Sequence, residues 1–352
     1  MPSTASPSGT DLSPSDLSRG NPPAGAASVS DGFRALTATA GVFDMNSRAK
    51  ILLTGADRVR WLNGMVTNNI RDLAVGHGVY AFLLNPQGHI LGDLYAYNRG
   101  EFLLVDTEAS QAEEIMSIFD HYIIMDDVEV ANGSDKLAAV GIAGPQSVDV
   151  LQAAGFDVPE LEPLQVLDRV WQDAGVTLVR GEGEHILSYE IWLAPPNLGP
   201  LRDTLGKAGA VTVSLETLEL YRIARGIPRY GPDIRGRDLP QETEQQRALH
   251  FNKGCYVGQE IVERIRSRGG VHRKFTGFEI AGSVPPPGAR IQAQGREIGE
   301  VTSATSLPLP EGERTVALGY IQRQWGDPGR TVEIGGVRAT VSDLPFSGVF
   351  RK

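Results

Sequence analysis

The stretch "FNKGCYVGQEIVERIRSRGGVHRKFTGFEI", residues 251–280, divides the chain into two regions with different sequence patterns. Before it, amphipathic helical patterns alternate with short strand-like runs, an order typical of α+β folds. After about residue 275, short strand-like runs are separated by Pro and Gly, and no helical pattern of useful length is present. The sequence therefore predicts an α+β body followed by a small, separate β-barrel or β-sandwich.

Three segments upstream of this stretch illustrate the body. Residues 49–57, "AKILLTGAD", predict a strand that ends in a turn. Residues 57–70 have the apolar spacing of an amphipathic helix, with Asp57 as a possible N-cap. Residues 78–106 predict three short strands joined by tight turns, which together form a meander.

The chain length of 352 residues suggests two or three domains. Residues 1–30 are mostly Ser, Pro, Ala, Gly and Thr, and they lack the basic and apolar regions of a signal peptide. We predict a disordered extension there. We assign residues 31–270 to an α+β body of two subdomains and residues 271–352 to the C-terminal barrel.

Charge and cysteine content exclude several classes of protein. No apolar run approaches the ~20 residues that cross a bilayer, so no membrane span is predicted. A single cysteine cannot form an internal disulfide, which fits a reducing cytoplasm. The net charge of −10 argues against broad nucleic-acid-binding surfaces, so direct nucleic-acid binding is not expected. One Cys and scattered His give no metal-ligand spacing, which leaves only a cluster shared with another protein.

The only cysteine, Cys255, lies in an unusual setting. Gly254 and Gly258 allow tight turns and close approach of another molecule. Residues 251–275 carry six Lys or Arg against two Glu, a net charge of +4: the cations are Lys253, Arg264, Arg266, Arg268, Arg273 and Lys274. Cations near a thiol favour the thiolate, so we predict a reactive Cys255 beside an anion site. The alternatives are a buried core cysteine and a solvated helix face.

The segment "KGCYVGQE", residues 253–260, followed by Arg268 and by "HRK" at residues 272–274, resembles the signature of the YgfZ-type folate-binding proteins. Mitochondrial relatives in this family assist iron–sulfur cluster assembly. The resemblance covers roughly residues 35–350. Three further segments agree with the order of the family: residues 53–70, 221–231 and 239–242.

This family is related to the glycine-cleavage T-protein, an aminomethyltransferase that uses tetrahydrofolate. The resemblance therefore implies a folate-binding body of ferredoxin-like pieces round a central channel, followed by a C-terminal β-barrel. It also implies tetrahydrofolate as the cofactor and iron–sulfur client or assembly proteins as partners.

The resemblance also carries over individual residues. In the T-protein a turn leads into an acidic pair and then a tyrosine, and Asn85, Gly88, Asp93 and Tyr97 match this pattern. Gly92 stands where the first acid of the pair would be. The match implies that Asp93 takes part in the transfer chemistry and that Asp93 and Tyr97 contact the folate.

Two acids further along the chain match folate-binding positions. Glu190 corresponds to the acid that binds the pterin, although its tyrosine partner is missing, and Glu219 matches a second acid less closely. A pterin edge presents N–H donors, and one carboxylate can accept two of them, so Glu190 is suited to that contact. The alternative is a surface carboxylate at the solvent face of a strand.

Cations near the motif suit the anionic glutamate tail of folate. Arg225, Arg229 or the arginines after Cys255 could hold that tail through charge-assisted hydrogen bonds. Lys253 and Tyr256, which flank Cys255, complete the predicted cofactor contacts.

The first function hypothesis is a cytoplasmic, tetrahydrofolate-binding accessory factor for iron–sulfur cluster assembly or repair. It would support iron–sulfur enzymes, including tRNA-modifying ones, with Cys255 as a reactive thiol that faces the channel. The alternative is a folate-dependent aminomethyl or other one-carbon transferase that uses Asp93. A third reading is a structural partner protein with an inert cysteine.

Overall fold

A computed structural model describes residues 25–183 and 186–350 of the chain. The predicted extension over residues 1–30 lies largely outside these ranges. Of its described part, Val29 and Ser30 already belong to the first helix. That helix is capped by Ser28, whose hydroxyl accepts a hydrogen bond from the backbone N–H of Asp31 at 3.1 Å.

The described residues form seven α-helices and seventeen strands. The helices are α1 (Val29–Ala38), α2 (Arg58–Met65), α3 (Ala109–Tyr122), α4 (Ser147–Ala153), α5 (Leu198–Lys207), α6 (Leu215–Arg225) and α7 (Gln259–Arg268). The strands are β1 (Gly41–Asp44), β2 (Arg48–Thr54), β3 (His77–Leu84), β4 (Ile90–Asn98), β5 (Leu103–Glu108), β6 (Glu129–Asn132), β7 (Ala138–Ala143), β8 (Val166–Trp171), β9 (Ala174–Arg180), β10 (Ser188–Leu193), β11 (Val211–Thr212), β12 (Arg273–Ile280), β13 (Arg290–Ala293), β14 (Arg296–Leu309), β15 (Gly312–Gln322), β16 (Thr331–Ile334) and β17 (Val337–Ser342). None of the described helices is long and apolar enough to span a membrane.

A five-stranded antiparallel sheet has the order β3-β4-β5-β2-β6 and contains the predicted meander as β3, β4 and β5. Side chains alternate between the two faces of a strand. Leu94 of β4 therefore packs with Ile115 and Phe119 of α3 in one apolar core. Asp93 and Tyr95 point to the opposite face, which turns toward the second sheet.

The second sheet has the order β11-β1-β7-β10-β9-β8, and its only parallel pair within the described residues is β1 with β11. One face packs on α4 and α5 through Ile191, Leu151 and Leu201. The opposite face of β10 presents Glu190 and Trp192, and Trp192 packs into a cluster shared with the first sheet. The two sheets thus face each other across a partly polar interface.

The C-terminal strands form a closed barrel with the order β12-β15-β14-β13-β16-β17. It closes because β12 pairs with both β15 and β17, which leaves no free edge between them. Phe278, Ile291, Val301 and Ala317 are each fully buried inside it. The predicted α+β body with a C-terminal β-barrel is confirmed, and closure selects the barrel over the sandwich.

Helix α6 of the body packs against strands β14 and β15 of the barrel. It ends at Gly226, whose φ of 70° is left-handed and suits glycine. Beyond it, Asp233 is fully buried and accepts hydrogen bonds from Thr302 Oγ1 at 2.5 Å, Ser303 Oγ at 2.8 Å and the Arg222 guanidinium at 2.7 Å. These bonds fix the end of α6 against β14.

One local prediction is confirmed in position only. Asp57 occupies the N-cap position of α2, and its backbone carbonyl accepts from the N–H of Trp61 at 2.8 Å. Its carboxylate instead accepts a hydrogen bond from the backbone N–H of Asp127 at 3.0 Å and makes no cap bond to α2. The reason is tertiary, because the loop before β6 lies beside the start of α2 and offers a competing donor. The helix is also shorter than its apolar pattern and ends at Met65.

Candidate active site

Asp93 lies on β4 with both carboxylate oxygens hydrogen-bonded. Tyr80 donates its hydroxyl hydrogen to Oδ2 at 2.7 Å, and the side-chain amide of Gln111 donates to Oδ1 at 2.8 Å. Gln111 also accepts from the backbone N–H of Asp93 at 3.1 Å. These bonds fix the orientation of the carboxylate. Since a carboxylate offers about four acceptor positions, about two remain for a ligand.

Charged residues of β2 and β5 lie on the same face as Asp93. Lys50 and Asp106 are each 1% exposed and form an ion pair, and Arg48 donates from Nε to Asp106 at 2.7 Å. Burial opposes the ionisation of Asp106, but Arg48 and Lys50 outweigh it and lower its pKa. The Arg48 guanidinium lies 5.6 Å from the ring centre of Tyr95, and Lys50 Nζ lies 4.6 Å from that of Trp192. This paired set forms a rigid, charged floor.

Glu190 reaches this floor from the second sheet. Its Oε2 accepts a hydrogen bond from the Trp192 indole N–H at 2.9 Å. Burial and then the negative charge of Asp106 raise the pKa of Glu190, while Lys50 and Arg48 oppose the rise. Glu190 is half-buried and faces the interface between the sheets, so the alternative of a carboxylate at a solvent face does not describe its position.

Arg247 and Glu182 border the same face next to Tyr80 and Tyr95. Arg247 Nε is 3.0 Å from Glu182 Oε1, and Tyr95 donates its hydroxyl hydrogen to Glu182 Oε2 at 2.9 Å. The Arg247 guanidinium lies 4.7 Å from the ring centre of Tyr80, whose ring is 5.0 Å from that of Tyr95. Burial raises the pKa of both tyrosines, so their hydroxyls remain protonated donors. The contacts link Asp93 to Arg247 through Tyr80.

Glu219 on α6 is bonded to two arginines. It accepts hydrogen bonds from Arg222 at 2.7 and 2.9 Å and from Arg229 at 3.2 Å. Burial opposes its ionisation, but Arg222 and Arg229 outweigh burial and lower its pKa. Glu219 therefore organises the end of α6, and a role as an open acceptor for a pterin does not follow from its contacts.

Tyr97 and Arg225 take positions different from those expected. Tyr97 shares the face of Asp93 but is only 2% exposed, and its ring packs edge-on against Trp192 at 5.1 Å. Tyr97 therefore has a packing role beside the charged residues, and its ring has no face open to a cofactor. Arg225 lies over the ring of Tyr221 at 5.5 Å, on α6.

Lys253 has a structural contact that the sequence did not reveal. Its Nζ donates to the backbone carbonyls of Asn63, Val66 and Asn68, each at 2.6 Å. All three ammonium hydrogens are used, so Lys253 caps the C-terminal end of α2 and the predicted contact with a cofactor is corrected. Burial, with help from the positive charge of Arg71, lowers the pKa of Lys253 to about 7.

Cys255 is exposed, whereas Tyr256 beside it is buried. A Cβ atom on Gly254 would come within 2.8 Å of the Arg71 guanidinium, so Arg71 passes close to the backbone of the motif. Tyr256 packs in the same apolar cluster as Tyr80. No hydrogen bond or ion pair of the described residues joins Cys255 to Asp93, and the buried Tyr256 anchors the motif against the cluster that contains Tyr80.

Two clefts lie elsewhere on the molecule. One of about 380 Å³ borders Trp325 and Arg330 on the barrel, and one of about 370 Å³ lies beside Phe251, Arg266 and Arg323. Neither is lined by Asp93 or Glu190. We nevertheless regard the face between the sheets as the candidate site, because Asp93 keeps free acceptor positions there and lies with Glu190, arginines and tyrosine hydroxyls on facing strands.

Four residues at this face are not among those predicted from the sequence: Lys50, Asp106, Glu182 and Arg247. Lys50 interrupts the apolar pattern of β2, and Asp106 follows the apolar run of β5, so both carried a detectable signal. A charged residue inside a buried strand pattern indicates a paired or functional position. Glu182 lies in a loop and Arg247 in a single 3-10 turn, Gln246–Ala248, and neither interrupts an apolar pattern.

Comparison with known proteins gives the same overall architecture. The GCVT N-terminal domain family matches residues 22–253, and the glycine cleavage T-protein C-terminal barrel domain matches residues 273–347. The chain is similar to the aminomethyltransferase of Lysinibacillus sphaericus, with 27% identity over 315 residues that cover 87% of this chain and 85% of the relative. It is also similar to the aminomethyltransferase of Thermus thermophilus, with 27% identity over 327 residues that cover 91% of this chain and 90% of the relative.

The crystal structure of glycine cleavage system aminomethyltransferase T from Bartonella henselae superposes with a TM-score of 0.81 at 24% identity. The match covers 92% of this chain and 90% of that one, and it shows the shared fold. These findings support the T-protein part of the resemblance. They do not separate a YgfZ-type group within it.

Proposed function

This chain belongs to the glycine cleavage T-protein family, and we propose that it is a folate-dependent one-carbon transferase of the aminomethyltransferase type. The observation that carries the proposal is Asp93, which Tyr80 and Gln111 orient on a face with free acceptor positions. Homologous full-length relatives are named aminomethyltransferases, which favours this class. We propose that the protein acts in the cytoplasm, because a single thiol suits a reducing compartment.

The residues at the face fit tetrahydrofolate. Glu190 offers a carboxylate to the N–H donors of a pterin edge, and Lys50 and Arg48 stabilise its ionised form. Tyr95, which is half-buried, offers an accessible aromatic edge beside it. When bound, tetrahydrofolate would supply the carried one-carbon unit.

Asp93 would act on the amine that exchanges with this unit. Its free oxygen position accepts an N–H hydrogen and so directs the nitrogen lone pair at the carbon to be transferred. With the one-carbon unit supplied by tetrahydrofolate, Asp93 would accept the proton that the attacking amine loses, and the same carboxylate could return it to the leaving nitrogen. Tyr80 and Gln111 hold the carboxylate still during this transfer.

The test compares wild type with Asp93→Asn, which keeps the shape and can still accept from Tyr80. We expect tetrahydrofolate affinity by calorimetry to change less than about threefold and transfer of a folate-bound carbon to an amine acceptor to fall about 100-fold or more. Asp120→Asn, on the exposed face of α3, is the matched control. Undiminished transfer by Asp93→Asn would overturn the role of Asp93, and folate binding without any wild-type turnover would overturn the transferase.

The second candidate is the YgfZ-type accessory factor for iron–sulfur cluster assembly or repair. The exposed Cys255 within "KGCYVGQE" and the Gly92 that replaces an acid favour it. Its partners would be iron–sulfur enzymes, including those that modify tRNA, and folate would be a ligand of the factor.

Complementation tests this candidate. We expect Cys255→Ala to fold normally and bind tetrahydrofolate, yet to leave iron–sulfur enzymes inactive in a deletion strain that the wild-type gene restores. Full restoration by the variant would reject the accessory role for the thiol. If Asp93→Asn loses transfer of the folate-bound carbon while Cys255→Ala restores the iron–sulfur enzymes, the transferase is favoured.

A further inference from the structure

The segment that carries Arg247 is fixed directly onto the sheet that holds Asp93. The side-chain amide of Asn68 donates to the backbone carbonyls of both Tyr80 and Arg247, at 2.8 Å each. The hydroxyl of Thr67 donates to the carbonyl of Ala248 at 2.6 Å. A segment held by two such bonds keeps its position relative to β3, so the guanidinium of Arg247 is presented to the site by a rigid support.

The guanidinium itself combines a fixed side with an accessible side. Its Nε faces Glu182 at 3.0 Å, its plane lies by the Tyr80 ring at 4.7 Å, and 36% of the side chain is exposed. Glu182 is in turn held by the hydroxyl of Tyr95. A guanidinium has five N–H donors in a planar fork, and that fork matches a carboxylate.

A row of tyrosines joins Arg247 to Glu190. The ring of Tyr97, packed on Trp192 next to Glu190, is 6.4 Å from that of Tyr95, and Tyr95 is 5.0 Å from Tyr80 below Arg247. The face therefore has Glu190 with the cations Lys50 and Arg48 at one end and the Arg247–Glu182 pair at the other, and Asp93 is hydrogen-bonded to the last tyrosine of the row. Such a face suits a ligand with N–H donors at one end and a carboxylate on an arm at the other.

We infer that Arg247 binds the carboxylate arm of the folate ligand and so selects arm-bearing folates over simple reduced pterins. The inference rests on the proposed folate site. The arginines considered from sequence have other contacts, since Arg229 bonds Glu219 and Arg225 lies on Tyr221. Arg247 is the arginine that shares a tyrosine with Asp93.

Calorimetry on the full chain with two probes tests this inference: tetrahydrofolate, and 6-methyltetrahydropterin, which has the reduced pterin without the arm. For Arg247→Met we expect the affinity for tetrahydrofolate to fall about 10-fold or more, because a charge-assisted contact is lost. The affinity for 6-methyltetrahydropterin should change less than about twofold. Arg247→Lys, which keeps the charge without the fork, should lie between wild type and Arg247→Met.

Arg338→Met, on the exposed side of β17 in the barrel, is the control and should change neither affinity. Melting temperatures of all variants check that each one is folded. An equal loss for both probes, or no loss for either, would overturn the role of Arg247 while the folate site stands. If wild type binds neither probe, the proposed folate function falls, and the inference falls with it.

Discussion

Glu190 is the residue whose charge state should control pterin binding. Burial and Asp106 raise its pKa above the ordinary 4.5, and only the ionised carboxylate accepts two N–H bonds. As the pH falls through the raised pKa, Glu190 gains a proton and affinity should weaken at pH values where an ordinary glutamate is still ionised. We expect this in calorimetric titrations of tetrahydrofolate, and a pH-independent difference between wild type and Glu190→Gln would contradict it.

Lys253 gives a second prediction at the residue scale. Its pKa is about 7 in the folded chain, against 10.5 when unfolded, so the unfolded chain binds more protons at this site between these values. The folded state is then penalised most below pH 7, and the free energy of unfolding should rise with pH from about 7 toward 10. In urea denaturation, wild type should gain stability relative to Lys253→Met over this window. If the free energies of unfolding of the two proteins changed with pH in parallel, the lowered pKa of Lys253 would be contradicted.

Single residues of the motif also show what sequence reasoning could reach. Cys255 was recognised from its neighbours and is exposed, as a reactive thiol requires. The position of Lys253 beside Cys255 predicts a cofactor contact. Its three carbonyl partners lie at residues 63–68, and a contact across so much sequence is visible only after folding.

At the scale of elements, the alternation along β4 explains the position of Gly92. A Cβ atom there would lie 3.1 Å from Gln111 Oε1 and 3.3 Å from Ile115, on the face opposite Asp93. Gly92→Asp would therefore place an unpaired carboxylate against α3. We expect a loss of about 3 kcal/mol in the free energy of unfolding, measured by urea denaturation.

The matched control for this change is Gly199→Asp. A Cβ atom on Gly199 meets nothing within 4 Å, and the residue lies in the first turn of α5, where an acid is favourable. This variant should keep wild-type stability. If Gly92→Asp were equally stable and increased transfer activity, an acid at that position would reach the site and the assignment of the two faces would fail.

The meander β3–β5 and the stop of α6 at Gly226 were predictable, because period-two patterns, turn residues and a glycine before a proline act locally. Which face of β4 meets the second sheet was not predictable. Both faces of β4 carry apolar or aromatic residues, so the sequence does not show whether Leu94 or Tyr95 packs against α3. Only the packing of α3 on one face and Trp192 on the other separates them.

At the scale of the whole molecule, the site is assembled from parts that are distant in sequence. Asp93 comes from the first sheet, Glu190 from the second, and Arg247 from the segment just before the cysteine motif. The change of pattern near residue 275 predicted the barrel, since short strands with Pro and Gly turns indicate all-β structure. The sequence carried no sign of how the barrel attaches, because that depends on a few buried polar bonds.

Asp233 should be the main determinant of this attachment. It is fully buried, and it bonds Thr302 and Ser303 of the barrel as well as Arg222 of α6. Asp233→Asn removes the fully buried one of the two carboxylates that pair with Arg222, the other being Glu219, and turns one acceptor into a donor. Breaking a buried pair in this way costs about 3–5 kcal/mol, so we expect a loss of that size in urea denaturation.

The control is Asp327→Asn, which breaks an exposed barrel pair with Arg330, where Asp327 is 69% exposed. Exposed pairs contribute about 0–1 kcal/mol, so this variant should remain near wild type. Arg222 also holds Glu219 near Arg229, so the loss of Asp233 should loosen the end of α6 and make the chain more accessible to limited proteolysis near residues 226–240. Equal stability of the two variants, with unchanged proteolysis, would mean that the barrel is held by its apolar contacts with α6 alone.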